Sequence, residues 1–376
     1  MGTCGRRPSH SLSVSFVLKH PMNEPILWTD PVRAAAFTAW LAPLLPAHQL
    51  RAETLRPASA DASFRRYFRI DSAAPGLGSC IVMDAPPALE NCAPFVQVAG
   101  LMAGAGLRVP EVLAWSEAQG FMLLTDLGGQ TVLDVIDPAR PSANLPHYLQ
   151  AIDALVAWQL ASKPGVLPAY DEALLKRELQ LFPDWYLAKH RGLTLDPAQQ
   201  TLLDNTFNLL VAHNLGAASV YVHRDFMPRN LMVNPGGADQ PLGVLDFQDA
   251  VYGPITYDIA SLMRDAFLSW GEDFVLDVTV RYWQKASKAG LPVDADFGEF
   301  YRQVEWMGLQ RHLKVAGIFA RITLRDGKPK YLADTPRFIG YIRATAGRYR
   351  ELLPFMRLID TLEGVEAVSG YAFGRV

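Results

Sequence analysis

Cysteine is scarce in this 376-residue chain: there are three, Cys4, Cys80 and Cys92, an odd number without metal-ligand spacing. That pattern excludes a disulfide-stapled scaffold and fits a reducing compartment. Charge is also sparse, with 19% of residues Asp, Glu, Lys or Arg, while 50% are hydrophobic. A chain of this composition buries a large core, so disorder over most of its length is excluded. A basic excess is missing too. The formal net charge of −3 argues against a nucleic-acid partner. No segment reaches the roughly 18 uninterrupted apolar residues that a membrane span requires.

The start of the chain carries Arg6 and Arg7 before a short apolar stretch, Leu12 to Leu18. It contains serines, ends at Lys19 and His20 and shows no small-residue cleavage site, unlike a signal peptide. Residues 1–24 are expected to form a disordered extension, and the protein is expected to be cytoplasmic, without a membrane or obligate protein partner.

What is present divides in two. Tyr67–Ile70 and Cys80–Asp84 are short apolar runs around a Pro/Gly/Ser-rich turn and predict a hairpin. A helix is predicted from Pro94 to Met102, stopped by Gly104 and Gly106, and two more strands at Glu111–Trp115 and Gly120–Thr125. A small antiparallel sheet carrying this one helix is the simplest assembly. From His147 the spacing is helical: His147–Ala161, Asp171–His190, Pro197–Leu215, Thr256–Trp270, Glu272–Ala289, Phe297–Thr323 and Pro336–Arg350. One β-like island, Tyr221–Phe247, interrupts them.

The chemistry concentrates in that island. It reads Val222-His223-Arg224-Asp225-Phe226-Met227-Pro228-Arg229-Asn230, and later Val244-Leu245-Asp246-Phe247. Strands Leu231–Asn234 and Leu242–Leu245 around a Gly/Pro turn predict a second hairpin. Antiparallel pairing then sets Asn230 and Asp246 about 5 Å apart at Cα, with Asp225 on the same end. Phosphoryl transfer needs oxygen ligands for Mg²⁺ and a carboxylate to accept a hydroxyl proton. Asn230 and Asp246 suit the first task and Asp225 the second. The alternative is a polar turn in which Asp225 and Asn230 cap backbone groups. His223 is read as structural, hydrogen-bonded beneath the loop. Arg224 and Arg229 suit either phosphate neutralisation or loop orientation. Asp249 suits a sugar hydroxyl, a second metal contact or a turn, and Tyr252 either packing or stacking on a sugar.

An H-R-D followed by Asn and then D-F is the catalytic-loop and metal-aspartate pattern of kinases. The run V-H-R-D-F-M-P-R-N-L-M, with G-V-L-D-F-Q-D-A-V-Y-G-P-I-T-Y-D-I-A-S-L-M-R-D, resembles the aminoglycoside phosphotransferase family. Asp61–Arg69 and Val82–Pro87 make it most similar to the family's bacterial anomeric amino-sugar kinases of peptidoglycan recycling. The resemblance covers Met22 to about Pro354. It implies an α+β, bilobal protein-kinase-like fold. The lobes would be a small antiparallel-sheet N-lobe with one main helix over 25–127 and a mostly helical C-lobe over 128–376. It implies ATP and Mg²⁺ as cofactors and the 1-hydroxyl of N-acetylmuramate or N-acetylglucosamine as acceptor.

Carried residue by residue, it implies Asp225 as base and Asn230 and Asp246 on Mg²⁺; Arg229, Asp249 and Tyr252 are read from the residues themselves as candidate substrate contacts. Ser63, Phe64, Arg65 and Arg66 would cover the phosphates, Thr125, Asp126 and Leu127 would meet adenine, and Asp258 would brace the catalytic loop. One departure stands out. Kinases carry a phosphate-binding lysine on the third strand, yet this chain has no lysine between Lys19 and Lys163. Arginines 65, 66 and 69 are the local substitutes, each equally readable as a solvated strand edge. The same pattern also suits an aminoglycoside or choline-like acceptor. The missing lysine supports a third reading, a non-catalytic nucleotide-binding pseudokinase.

Overall fold

The computed structural model describes residues 26–60, 64–237 and 240–365. The predicted extension and Ser63 lie outside the described residues. Contacts group the chain into two compact units, one running to Glu90 and including Leu113–Asp126, the other comprising Asn91–Val112 and everything from Leu127.

The first unit opens with helix α1 (Pro31–Leu41), which sequence reading did not anticipate. Its start follows ordinary capping chemistry: the Asp30 carboxylate accepts from the Val32 N–H at 2.8 Å and Pro31 takes the first helical position. A single turn, α2 (Leu44–Ala47), follows. Five strands come next, β1 (Arg56–Ala60), β2 (Arg66–Asp71), β3 (Ser79–Asp84), β4 (Val112–Ser116) and β5 (Phe121–Thr125), in sheet order β1-β2-β3-β5-β4. The β2–β3 hairpin is antiparallel as expected, with Phe68 opposite Val82 and Ile70 opposite Cys80. Period-two alternation puts Phe68, Ile70, Cys80, Val82 and Leu123 in one core with Phe37 and Leu41 of α1. The Phe37 ring meets Phe68 and Phe121 edge-on at 5.6 and 5.5 Å.

Helix α1 packs on this sheet. The predicted Pro94–Met102 helix is present as α3 (Ala93–Gly104) and groups with the second unit, where the buried Phe95 ring lies 4.9 Å from Phe247. Strand β3 lacks a lysine and ends instead in the buried Asp84. Arg33 grips Asp84 Oδ1 at 3.0 and 2.6 Å, and Arg66 grips Oδ2 at 3.0 and 2.5 Å. Each guanidinium also lies 4.0 Å from a ring, Phe121 for Arg33 and Trp28 for Arg66. Taking a carboxylate out of water is costly, and pairing on both oxygens offsets that cost, whereas one stripped of its partners would be strongly destabilising.

The second unit is mostly helical. It contains α4 (Val132–Val135), α5 (Leu145–Leu160), α6 (Glu172–Leu179), a π-helical segment (Phe182–His190) and α7 (Pro197–Leu215). Four short strands follow: β6 (Ser219–Val222), β7 (Leu231–Met232), β8 (Gly243–Val244) and β9 (Val251–Pro254). Helices α8 (Tyr257–Met263), α9 (Glu272–Lys288), α10 (Phe297–Asp326), α11 (Thr335–Arg348) and α12 (Leu353–Glu363) complete it. Asp196 begins α7 with a reciprocal capping box to Gln199.

Two helical expectations change. The single helix expected over Asp171–His190 breaks after Leu179, and its second part is π-helical with Pro183 in its first turn. The helix expected over Thr256–Trp270 stops at Met263, where the Asp265 carboxylate turns the chain by accepting the Phe267 N–H at 2.5 Å. Helix α10 runs through the middle of the unit, buried along most of Val304–Ala320. Gly317 lets it approach the chain closely, since a Cβ there would sit 2.3 Å from the Leu181 carbonyl oxygen. No described helix is long and apolar enough to cross a membrane.

Removing the shared carboxylate isolates two arginines at once. Asp84→Ala is expected to lower unfolding free energy by about 3 kcal/mol, read by denaturant titration. A loss below about 1 kcal/mol would mean that the Arg33–Asp84–Arg66 cluster behaves as a solvated surface pair.

Candidate active site

The loop with the candidate base Asp225 hangs between β6 and β7, and the loop with Asp246 between β8 and β9. Both loops are fixed by short ladders: Val222 pairs with Val251, and Leu231 with Val244. The β7–β8 hairpin is two residues per strand rather than the four expected, but its open end closes as the spacing predicted. The Leu245 N–H donates to the Asn230 carbonyl at 2.9 Å. The buried Asn230 side chain then joins the three predicted residues. Its Nδ2 donates to the Asp225 main-chain oxygen at 2.8 Å and to Asp246 Oδ2 at 3.3 Å. Gln248 Nε2 donates to the other Asp246 oxygen at 2.8 Å.

Two residues here hold unusual backbones. Arg224 has φ +77° and Asp246 φ +63°, both left-handed without being glycine. Such strain persists only where neighbours fix it. For Arg224 the fixing groups are visible. Asp258, fully buried in the first turn of α8, accepts from the main-chain N–H of His223 at 2.7 Å and of Arg224 at 3.0 Å. The brace expected of Asp258 is present, but the carboxylate serves the loop and does not cap its own helix. Burial raises Asp258 to about 7 against the pull of those two N–H groups.

His223 is fully buried beneath the loop, as expected. Its Nδ1 accepts from the Asp225 N–H at 3.2 Å, so Nε2 carries the proton and donates to the Leu245 carbonyl at 3.0 Å. Burial pushes its imidazole down to about 4, so it stays neutral and ties the two loops together.

The carboxylate of Asp225 is partly exposed, at 39%. Burial of its surroundings raises its pKa, but Lys314, Arg311 and Arg224 outweigh this and hold it below the usual carboxylate value. It is therefore an ionised acceptor at neutral pH. Arg311, buried in α10, stands 3.9 Å from Asp225 Oδ1. Lys314, one turn on, lies 3.0 Å from Glu178 and donates to the Tyr257 hydroxyl at 3.1 Å. Glu178 also takes a short ion pair from Arg224 and a hydrogen bond from the Tyr170 hydroxyl.

Sequence reading missed Glu178, Arg311 and Lys314. They lie on α6 and α10, 46 residues or more from the loop partners they serve. The available signal was a polar run, Gln310-Arg311-His312-Lys314, on helix faces that are otherwise apolar.

Beside the loop opens a cavity of about 520 Å³. Its lining includes Arg224, Gln248 and Asp249 from the loops, with Glu178, Arg177, Lys314 and Arg321 from α6 and α10. Four cationic side chains face two carboxylates there, so the lining is positive on balance. Asp249 is among the lining residues. Arg229 and Tyr252 are not among the lining residues: Arg229 lies over the Phe267 ring at 4.7 Å, and Tyr252 meets Tyr221 edge-on within the β6–β9 ladder.

In the first unit, Phe64 is exposed and its N–H donates to Glu90 at 3.2 Å, while Arg65 pairs with Glu90 at 3.1 Å. Arg66 is engaged by Asp84. Asp126 accepts from Arg69 at 2.5 Å and Ser79 at 2.7 Å, and the Leu127 carbonyl accepts from Arg108 at 2.8 Å.

The donor set fits a hard divalent cation. Asn230, whose amide nitrogen is committed, offers Oδ1, and Asp246 offers carboxylate oxygen. Among the described residues no three His, Cys, Asp or Glu cluster as a metal site, so such an ion would be completed by phosphate oxygens and water.

Lys314→Met tests the electrostatics of the base. Removing that cation raises the Asp225 pKa, so the acid limb of the kcat/KM profile is expected to move to higher pH by up to about 1 unit. An unmoved limb would contradict the role given to Lys314.

Comparison with known proteins gives a consistent result. Residues 54–296 match the phosphotransferase enzyme family. A Pseudomonas aeruginosa protein named N-acetylmuramate/N-acetylglucosamine kinase is 49% identical over 347 residues, 90% of this chain and 100% of its own. A protein of the same name from Neisseria meningitidis serogroup B is 49% identical over 319 residues, 84% of this chain and 93% of its own. Among solved structures, the GDP complex of wild-type aminoglycoside 2'-phosphotransferase-IIIa superposes with a TM-score of 0.56 at 16% identity, covering 84% of this chain and 99% of that one. At that identity the likeness speaks for fold alone, the α+β protein-kinase-like fold expected from the sequence.

Proposed function

The chain belongs to the phosphotransferase enzyme family, and on that footing we propose that it transfers the γ-phosphoryl group of ATP to the anomeric 1-hydroxyl of N-acetylmuramate or N-acetylglucosamine during peptidoglycan recycling. The observation that carries the chemistry is the Asn230 amide, which ties the Asp225 loop to Asp246. The relatives' names support the acceptor.

The sugar O1 attacks the γ-phosphorus. A new P–O bond forms there, the bond to the β–γ bridging oxygen breaks, and ADP leaves. Asp225 accepts the O1 proton, late in a largely dissociative process to which the protein contributes mainly positioning. Its lowered pKa makes it a weak base, suited to a proton that departs only after bond formation is under way. Mg²⁺ at Asn230 and Asp246 would supply charge neutralisation on the phosphates. Asp249 is assigned to a sugar hydroxyl. In the nucleotide site, the main chain of Thr125–Leu127 is assigned to adenine and Ser63, Phe64, Arg65 and Arg66 to the phosphates. Among them, Arg66 is held by Asp84.

The positive lining of the cavity disfavours a polycationic aminoglycoside or a quaternary amine as acceptor. The pseudokinase reading is disfavoured by the family and by relatives named as kinases, and by the candidate base and both proposed cation ligands standing together.

Asp225→Asn preserves shape and removes the proton acceptor. Turnover is expected to fall by about 10³-fold, with nucleotide affinity retained in a calorimetric titration. Turnover within a few-fold of the parent would withdraw the base assignment.

A further inference from the structure

Two of the four cations that line the cavity make no ion pair among the described residues. Among the described residues, Arg177 and Arg321 line the cavity without an ion pair or hydrogen bond, in contrast to Arg224 and Lys314, which share Glu178. The Arg321 Nε is buried without a hydrogen-bond partner. Asp326, the carboxylate that acts on Arg321 through space, is taken up by Arg325 at 2.6 Å.

Placement explains why both reach one space. Leu181 and Gly317 bring the chain after α6 against α10. Arg177 stands four residues before Leu181 and Arg321 four after Gly317, so each flanks that contact by about one helical turn. Arg177 is exposed to solvent at the mouth of the cavity, whereas Arg321 is half-buried, and its buried Nε is the group that gains most from a ligand.

We infer that Arg177 and Arg321 form a carboxylate subsite that receives the lactyl group of N-acetylmuramate and makes the anionic sugar the preferred acceptor. The inference rests on the kinase reading above and deepens it. The two candidate sugars share the pyranose ring, acetamido group and anomeric hydroxyl. They differ in the lactyl ether, whose carboxylate is a natural match for a guanidinium fork.

Steady-state kinetics with both sugars on the parent enzyme, Arg177→Ala, Arg321→Ala and Arg321→Lys test it. Each alanine variant is expected to reduce the preference for N-acetylmuramate over N-acetylglucosamine by about tenfold or more. The change should reside in the KM of the carboxylated sugar. Arg321→Lys, which keeps charge but loses the fork, should retain part of the preference. Equal losses with both sugars would overturn the subsite, as would a rise in the KM for ATP, which would assign these arginines to phosphate. A parent enzyme that phosphorylates both sugars, with a preference unmoved by the variants, refutes the subsite and leaves the kinase reading standing. A parent enzyme active on neither sugar refutes both.

Discussion

The site depends on one side-chain amide. Asn230 donates to the main chain of the catalytic loop and to Asp246, so the proposed base and the proposed cation ligand are set by a single buried group. The two-residue β7–β8 ladder holds that amide in place, and the Leu245-to-Asn230 hydrogen bond closes its open end. His223 adds a second tie between the same loops, from the Asp225 N–H to the Leu245 carbonyl. A hairpin this short has little stability of its own. Its order comes from the buried polar groups around it, so the chemistry and local stability rest on the same bonds.

Electrostatics makes the arrangement usable. Asp225 is an acid among cations, with Arg311, Lys314 and Arg224 keeping it ionised, while Glu178 prevents those cations from accumulating uncompensated. Arg224 adopts a left-handed backbone because Asp258 holds its N–H and Glu178 its guanidinium. The first unit solves a related problem differently. Where a phosphate-binding lysine is absent, Asp84 and two arginines form a closed cluster at the end of β3 instead of reaching outward.

The parts legible in the sequence were local ones. The convergence of Asp225, Asn230 and Asp246 follows from hairpin register, which short-range spacing specifies well. The β2–β3 hairpin and the capped start of α7 were readable for the same reason. Helix α1 carried a signal of its own, Asp30 before Pro31, but its place on the sheet depends on Phe37 meeting Phe68 and Phe121, far along the chain. Arg66 illustrates the limit of local reading: alternation gives its face, while its partner Asp84 lies across a hairpin and is shared with Arg33. The buried cations of α10 were invisible as site residues because helical periodicity reports burial and not what a buried charge faces. The end of α8 was set by one aspartate turning back on the Phe267 N–H.

This constellation is proposed to move phosphate onto the anomeric oxygen of an acetylated amino sugar. Phosphorus NMR of the products formed from ATP, Mg²⁺ and N-acetylmuramate or N-acetylglucosamine reads that step. The expected product is a sugar phosphate whose phosphorus couples to the anomeric proton and whose bond is cleaved readily by mild acid. An acid-stable monoester on another hydroxyl, or release of ADP with no phosphorylated sugar, would contradict it.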